Sequence, residues 1–205
     1  MRRGVAFGLL AALVATASFV SAVSAQYETL CECCGFQVLQ VCGCFGTVDA
    51  APNHPSDILL RWIDTHYPIA GTKSCGSSQQ DRYWAHTFAD IKPLGDCKIV
   101  GAYLCITVRN QADNDHIKIA VISDPSEDWS WANGHWQRRL NYVGIPVNAA
   151  FTVTFDLSNL YHPDGRIDLL PEINSKGWLD VAVDDDSVVE HMALILILGI
   201  PAQER

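Results

Sequence analysis

Positive charge is scarce in this sequence. Its 205 residues include 14 lysines and arginines against 23 aspartates and glutamates, and the formal net charge at pH 7 is −9. Proteins that bind nucleic acid or anionic lipid need clustered basic side chains, but this sequence has no basic patch and no RNA-binding motif. We therefore expect no nucleic acid partner, and the charge favours solubility or cation binding.

Enzyme motifs are also missing. The seven histidines are scattered without an H-E-x-x-H spacing, and there is neither a G-x-S-x-G nucleophile motif nor a phosphate-binding glycine loop. A glycoside hydrolase needs two suitably spaced carboxylates, but no motif selects a pair here, so enzymatic activity is the weaker hypothesis. The available acids include Asp180, Asp184, Asp185, Glu172 and Glu190.

The longest apolar run lies at the N-terminus. Arg2 and Arg3 precede an apolar segment over 5–20, and the small residues at 22–25 follow it. This order is typical of a secretory signal peptide, and the run is shorter than the ~20 residues of a membrane span. We expect residues 1–25 to be removed, which takes the formal charge from −9 to −11 because two arginines are lost. The mature protein is then secreted, periplasmic or extracellular, with no transmembrane segment.

The second half of the expected mature chain, 26–205, has no cysteine. Five of the eight cysteines lie in CECCGFQVLQVCGC, at 31–44. Thiolates at this spacing can bind Zn(II) or Cu(I), but in a secreted protein an even number of cysteines usually forms disulfides. We expect disulfides that fasten an N-terminal arm to the rest of the protein, with a metal cluster as the alternative. The cysteines are Cys31, Cys33, Cys34, Cys42, Cys44, Cys75, Cys97 and Cys105.

One short helix is predicted in HPSDILLRWIDTHYP, at 54–68. Ser56 or Asp57 can cap it, and Pro68 ends it. A strand-like segment is the alternative, because periodicity separates the two poorly at this length. The apolar side of the helix consists of Ile58, Leu59, Trp62 and Ile63.

Beyond residue 81 the sequence alternates between apolar and polar residues. The segments 102–109, 116–123, 151–157 and 178–184 are apolar at every second position, and turn sequences such as QADND and HPDG separate the strands. HMALILIL, at 191–198, is apolar on both faces, which predicts a central or covered strand.

These patterns predict an all-β fold. We expect an antiparallel β-sandwich with jelly-roll-like topology over 81–205, since no helical pattern of ten residues separates the strands. The Gly/Ser-rich segment 71–80 ends the preceding region, so a cysteine-rich N-terminal arm and connector occupy 26–80.

The layout resembles that of bacterial secreted β-sandwich proteins of unassigned function. The likeness covers roughly 83–198, through WAHTF, IVGAYLCITV, FTVTFDLSNL, DGRIDLLPEIN and GWLDVAVDDDSVVEHMALIL. The sequence is similar, more distantly, to jelly-roll carbohydrate-binding modules. The resemblance implies a fold and carries over no sugar-contacting residue, because function depends on sites placed on a fold.

Two acidic clusters, ADND at 112–115 and DVAVDDD at 180–186, are candidates for a calcium site. If they meet at one end of the sandwich, their carboxylates and nearby carbonyl groups can supply the six to eight oxygen ligands of Ca²⁺. The alternative is that they are solvated turn residues. The predicted ligands are Asp113, Asp115, Asp184 and Asp186.

Three tryptophans lie in DWSWANGHW, at 128–136. Exposed aromatic rings stack on sugars, so Trp129, Trp131 and Trp136 are the predicted ligand-binding residues. The alternative is that these rings close the end of the core.

Together these features favour a non-catalytic binding or surface-interaction module that recognises an extracellular glycan with calcium support. The first alternative is a structural subunit of an extracellular assembly that docks onto another copy of itself through the cysteine-rich arm. The second alternative is a glycan-active hydrolase.

Overall fold

The computed structural model describes residues 26–29, 36–41, 55–67, 76, 82–91, 98–128, 135–184 and 186–199. The predicted signal peptide at 1–25 lies outside the described residues. Trp129, Trp131 and every cysteine except Cys105 also lie outside them.

The described part of the chain contains eleven β-strands and two α-helices. The strands are β1 (Gln26–Thr29), β2 (Phe36–Val41), β3 (Trp84–Phe88), β4 (Lys98–Asn110), β5 (His116–Ala120), β6 (Trp136–Arg139), β7 (Ala149–Asp156), β8 (Leu160–His162), β9 (Gly165–Ile167), β10 (Leu179–Val183) and β11 (Val188–Gly199). The helices are α1 (Pro55–His66) and α2 (Leu170–Lys176), and a 3₁₀ turn covers Leu140–Val143.

All strand pairs are antiparallel, as predicted from the alternating sequence pattern. One sheet has the order β1-β2-β11-β4-β7, a second has the order β3-β10-β5-β6, and β8 and β9 form a separate hairpin. β11 lies in the middle of the five-stranded sheet, which explains why its sequence is apolar on both faces.

Residues from both sheets form one hydrophobic core. Leu104, Ile106 and Val108 of β4 and Ile117 and Ile119 of β5 are fully buried, as their alternation predicts. On β7 the same pattern is only partly buried. Phe155 lies in the core, whereas Phe151 is 47% exposed because β7 is an edge strand with a neighbour on one side only.

Helix α1 packs on the outer face of the four-stranded sheet. Proline suits the first position of a helix because the amide hydrogen that it lacks would have no partner there, and α1 begins at Pro55. The apolar side predicted from the sequence is confirmed. Leu59, Trp62 and Ile63 are buried against a cluster that includes Ala120 and Ala182. Because α1 covers this face, every residue of β10 is buried. These include Asp180, which the alternating pattern assigns to the solvent-facing side.

The region 26–80, expected to form an arm, contributes to the packing of both sheets. β2 pairs with β11 in the five-stranded sheet, and α1 covers the four-stranded sheet. Neither helix among the described residues is long and apolar enough to cross a membrane.

Candidate functional site

Trp136 lies in the core of the protein. Its side chain is 2% exposed, its indole N–H donates to the carbonyl of Tyr161 at 3.0 Å, and its ring meets Phe155 edge-on at 5.3 Å. A ring in this position has no face open to a ligand. It instead closes the core, which was the alternative considered from the sequence. Ligand stacking on this loop stays a prediction for Trp129 and Trp131, outside the described residues.

The two acidic clusters meet at one end of the sheets. The Asp184 amide donates to the His116 carbonyl at 3.1 Å, and the His116 amide donates back to the Asp184 carboxylate. Nearby, the Ser187 hydroxyl donates to Asp115. The turn that follows β4 therefore lies beside the turn that joins β10 to β11.

The carboxylates of this acidic end are largely engaged by other protein groups. Lys118 Nζ lies 2.6 Å and His116 Nδ1 lies 3.5 Å from Asp184 Oδ2. Burial disfavours the Asp184 carboxylate, but hydrogen bonds from His116 and the charge of Lys118 hold its pKa below the ordinary value. Asp113 is exposed, and one oxygen of Asp186 is buried without a hydrogen bond.

In the residues that the structure describes, no group of three or more His, Cys, Asp or Glu side chains is arranged to hold a metal ion. Calcium binding by the four predicted aspartates stays a prediction.

Lys118 is a buried cation beneath α1. Its side chain is 1% exposed, and its ammonium lies 5.0 Å from the ring centre of Tyr83 and 5.7 Å from that of Tyr67. The carboxylate of Asp184 and the two aromatic faces compensate for the hydration that this ammonium has lost. The arrangement stabilises a fixed ion pair rather than a free amine nucleophile.

Asp180 is fully buried on the same face of the sheet. It accepts hydrogen bonds from the Thr87 hydroxyl at 2.6 Å and from the Ile122 amide at 2.9 Å. Burial nevertheless raises its pKa to about 7.

Two of the acids considered for hydrolysis, Asp180 and Asp184, do not have the spacing of a glycosidase pair. Asp180 and Asp184 are four residues apart along one face of β10 and its continuation, which corresponds to about 13 Å. Glycosidase carboxyl groups are roughly 5–9.5 Å apart. Glu190 pairs with Arg109 on the other sheet.

An exposed aromatic site lies on the β8–β9 hairpin, at residues not selected from the sequence pattern. The side chain of Tyr161 is 61% exposed. The guanidinium carbon of Arg166 lies 5.2 Å from the ring centre, and that of Arg138 on β6 lies 5.9 Å away. Tyr161 and Arg166 are direct cross-strand partners, so their side chains share one face of the hairpin. We call Tyr161, Arg138 and Arg166 the hairpin patch.

The two arginines of the hairpin patch form no ion pair within the described part of the chain, although Arg166 also donates to the Asn159 carbonyl at 3.3 Å. In contrast, Arg61 pairs with Asp57, and Arg109 pairs with Glu190. The sequence signal for this patch is the HPDG turn, because a two-residue turn sets which residues of the hairpin face each other.

Cys105 is the one cysteine among the described residues, where it is a free thiol. Its Sγ lies 3.3 Å from the Thr154 hydroxyl, beside Ala193 and Ile195. The disulfide pairing of the eight cysteines stays a prediction, because seven of them lie outside the described residues.

The geometry thus offers an acidic end whose carboxylates are mostly paired, a buried polar face beneath α1, and the hairpin patch, in which Tyr161 and Arg166 are exposed and Arg138 is half-buried. Of these three, the hairpin patch has arginines that form no ion pair in the described structure. No protein-family model matches the chain, and the searches of curated proteins and of solved structures found no significant similarity.

Proposed function

We propose that this protein is a secreted, non-catalytic module that binds extracellular carbohydrate through the hairpin patch. The observation that carries the proposal is the exposed ring of Tyr161 on a β-hairpin. An exposed aromatic face stacks on the apolar face of a sugar ring, and nearby polar groups orient the sugar.

The fold that we propose for this module is a jelly-roll β-sandwich. The strand pairing is nested, because β2 pairs with β11, β3 with β10, β4 with β7 and β5 with β6. A long hairpin that wraps into two facing sheets has this order, and lectin domains are among the proteins with that architecture. This likeness supports a binding role by analogy alone.

The hairpin is well anchored, which suits a binding site. Leu160 and Ile167 are buried in the core, and the Trp136 indole holds the Tyr161 carbonyl. A ligand that meets a preorganised surface loses less free energy to the ordering of protein groups than one that meets a mobile loop.

A glycan array tests the proposal, with the mature wild-type protein and Tyr161→Ala compared in the presence of calcium. We expect Tyr161→Ala to lower affinity about tenfold, which corresponds to ~1.4 kcal/mol of stacking and buried area. Tyr142→Ala is the matched control, because Tyr142 is 69% exposed and also lies beside an arginine, Arg139, at 5.9 Å. If the wild type binds no glycan, the proposal is refuted.

Calcium support is a separate part of the proposal. A ligand that binds only the folded state raises the melting temperature in proportion to the logarithm of its concentration, once that concentration exceeds Kd. We expect millimolar CaCl₂ to raise the Tm relative to EDTA, and we expect Asp113→Asn to weaken the effect. An identical Tm in CaCl₂ and EDTA would remove calcium from the account.

A further inference from the structure

We propose that the ligand of the hairpin patch is an acidic glycan, whose carboxylate or sulfate group binds Arg138 and Arg166 while its sugar ring lies against Tyr161. This inference rests on the proposed carbohydrate-binding function and specifies the chemical class of the sugar.

Two positive charges lie beside one ring. Both guanidinium carbons lie within 5.9 Å of the ring centre of Tyr161. An anion bound beside this ring would be attracted by both charges. Guanidinium groups bind carboxylate and sulfate-like oxyanions through two parallel hydrogen bonds, so the chemistry of the patch matches an acidic substituent.

Nearby acids do not neutralise the patch. The three aspartates that precede, lie within and follow the hairpin have other partners. Asp156 accepts hydrogen bonds from Ser158, and Asp168 accepts one from the amide of Leu170. Asp164 lies 3.5 Å from His162 and forms no ion pair with Arg138 or Arg166 among the described residues. An acidic chain with a formal charge of −9 thus leaves two arginines at an exposed aromatic ring without a carboxylate partner in the described structure.

The charge of Arg138 also acts on the hairpin. Partial loss of hydration, together with the positive charge of Arg138, lowers the pKa of His162 below its ordinary value. Arg138 is thus close enough to the hairpin to act on His162, whereas Asp164 acts in the opposite direction.

The patch joins two elements whose relative position is fixed by a hydrogen bond. Tyr161 and Arg166 face each other across the hairpin, whereas Arg138 comes from β6. The hydrogen bond from Trp136, two residues before Arg138, to the Tyr161 carbonyl connects β6 to the hairpin. An anionic sugar can therefore contact both arginines without a rearrangement of the backbone.

The test measures equilibrium binding to three polymers that differ in one substituent: dextran, carboxymethyl dextran and dextran sulfate. We expect the mature wild type to bind at least one acidic polymer tenfold or more tightly than dextran, and the affinity to fall with added NaCl. Whether carboxymethyl dextran or dextran sulfate binds more tightly identifies the preferred anion.

The variant Arg138→Gln/Arg166→Gln should lose at least tenfold in affinity for the acidic polymer. The control Arg61→Gln/Arg109→Gln removes the same net charge from surface ion pairs and should stay within about threefold of the wild type. Unchanged circular dichroism and Tm of both variants establish that they are folded.

Three results would overturn the inference. If the wild type binds neutral glycans as tightly as acidic ones, the acidic specificity is wrong while carbohydrate binding stands. If the patch variant and the control lose affinity equally, the binding reflects overall charge and not the hairpin patch. If the wild type binds no glycan on the array and none of the polymers, the proposed function fails as well.

Discussion

At the scale of single residues, the unusual chemistry of this protein lies beneath α1, where the four-stranded sheet has polar side chains on a buried face. Asp180 is fully buried, and its pKa is raised to about 7. In the unfolded chain an aspartate has a pKa of about 3.9. Between these two values the native state retains a proton that the unfolded state releases, so the contribution of Asp180 to stability falls as the pH rises and levels off above about 7.

The direction of this pH dependence leads to a prediction for Asp180→Asn, whose side chain cannot ionise. We expect the variant to gain stability relative to the wild type as the pH rises from 5 to 8, as measured by urea unfolding at several pH values. The difference between the two proteins isolates Asp180 from histidines such as the half-buried His86, whose pKa is lowered to about 4 by desolvation and whose contribution has the opposite sign. A difference that does not change with pH would show that Asp180 does not titrate in this range.

The ion pair of Lys118 with Asp184 gives a second prediction. Lys118→Met leaves a largely buried carboxylate without its cation, and we expect a loss of about 3–5 kcal/mol in the free energy of unfolding. The double variant Lys118→Met/Asp184→Asn, which removes both charges of the pair, should recover part of that loss. Arg109→Met is the matched control. It breaks an exposed pair and should cost no more than about 1 kcal/mol. Equal costs for the two single variants would contradict the buried pairing.

At the scale of secondary structure elements, the β8–β9 hairpin positions the proposed binding site. Gly165 directly follows its two-residue turn and has a φ of 150°. L-residues rarely adopt this conformation, whereas glycine tolerates it. The register that pairs Tyr161 with Arg166 therefore depends on this glycine.

Gly165→Ala should accordingly destabilise the hairpin by about 1–3 kcal/mol, because of backbone strain. An added Cβ meets no atom within 4 Å, so the loss would arise from the backbone conformation and not from a clash. The melting temperature and the glycan affinity should both decrease. Asp164→Ala, in the same turn, changes an 86% exposed side chain and should alter neither beyond about 0.5 kcal/mol. Wild-type stability in Gly165→Ala would show that the turn tolerates a side chain.

Individual strands and helices could be predicted from the sequence where the apolar pattern lay within one segment. The alternation of Leu104, Ile106 and Val108 predicted β4, and the apolar positions 58–63 predicted α1. Helix α2 was not anticipated, because its seven residues are too few for a clear period. The face of β10 that carries Asp180 was assigned to solvent, since nothing local shows that α1 packs over it.

At the scale of the whole molecule, long-range pairing determines what the candidate sites become. β2 pairs with β11, which lies some 150 residues later in the chain. Antiparallel architecture could be predicted from the strand pattern, but this pairing could not, because alternation within a strand does not identify its neighbour. For the same reason, the sequence pattern does not identify which side chains meet at a candidate site. Trp136 occupies an inward position of β6 and enters the core, whereas Tyr161 becomes exposed beside an arginine from another strand.

Charge distribution also becomes meaningful at this scale. The sequence total of −9 predicts repulsion of acidic partners, yet the fold gathers Arg138 and Arg166 at one exposed ring. Over distances beyond the Debye length of about 8 Å at physiological salt, the repulsion from distant carboxylates is screened. A local basic patch can therefore bind an acidic sugar on an acidic protein.

The most direct measurement of the central claim is an NMR titration of the mature protein with ¹³C-labelled tyrosine rings, using the tightest glycan found on the array. The account predicts that the ring resonances of Tyr161, assigned with Tyr161→Phe, shift in a saturable manner while those of Tyr142 do not. Saturable shifts elsewhere, with Tyr161 unaffected, would place the glycan at another surface and contradict the hairpin patch as the binding site.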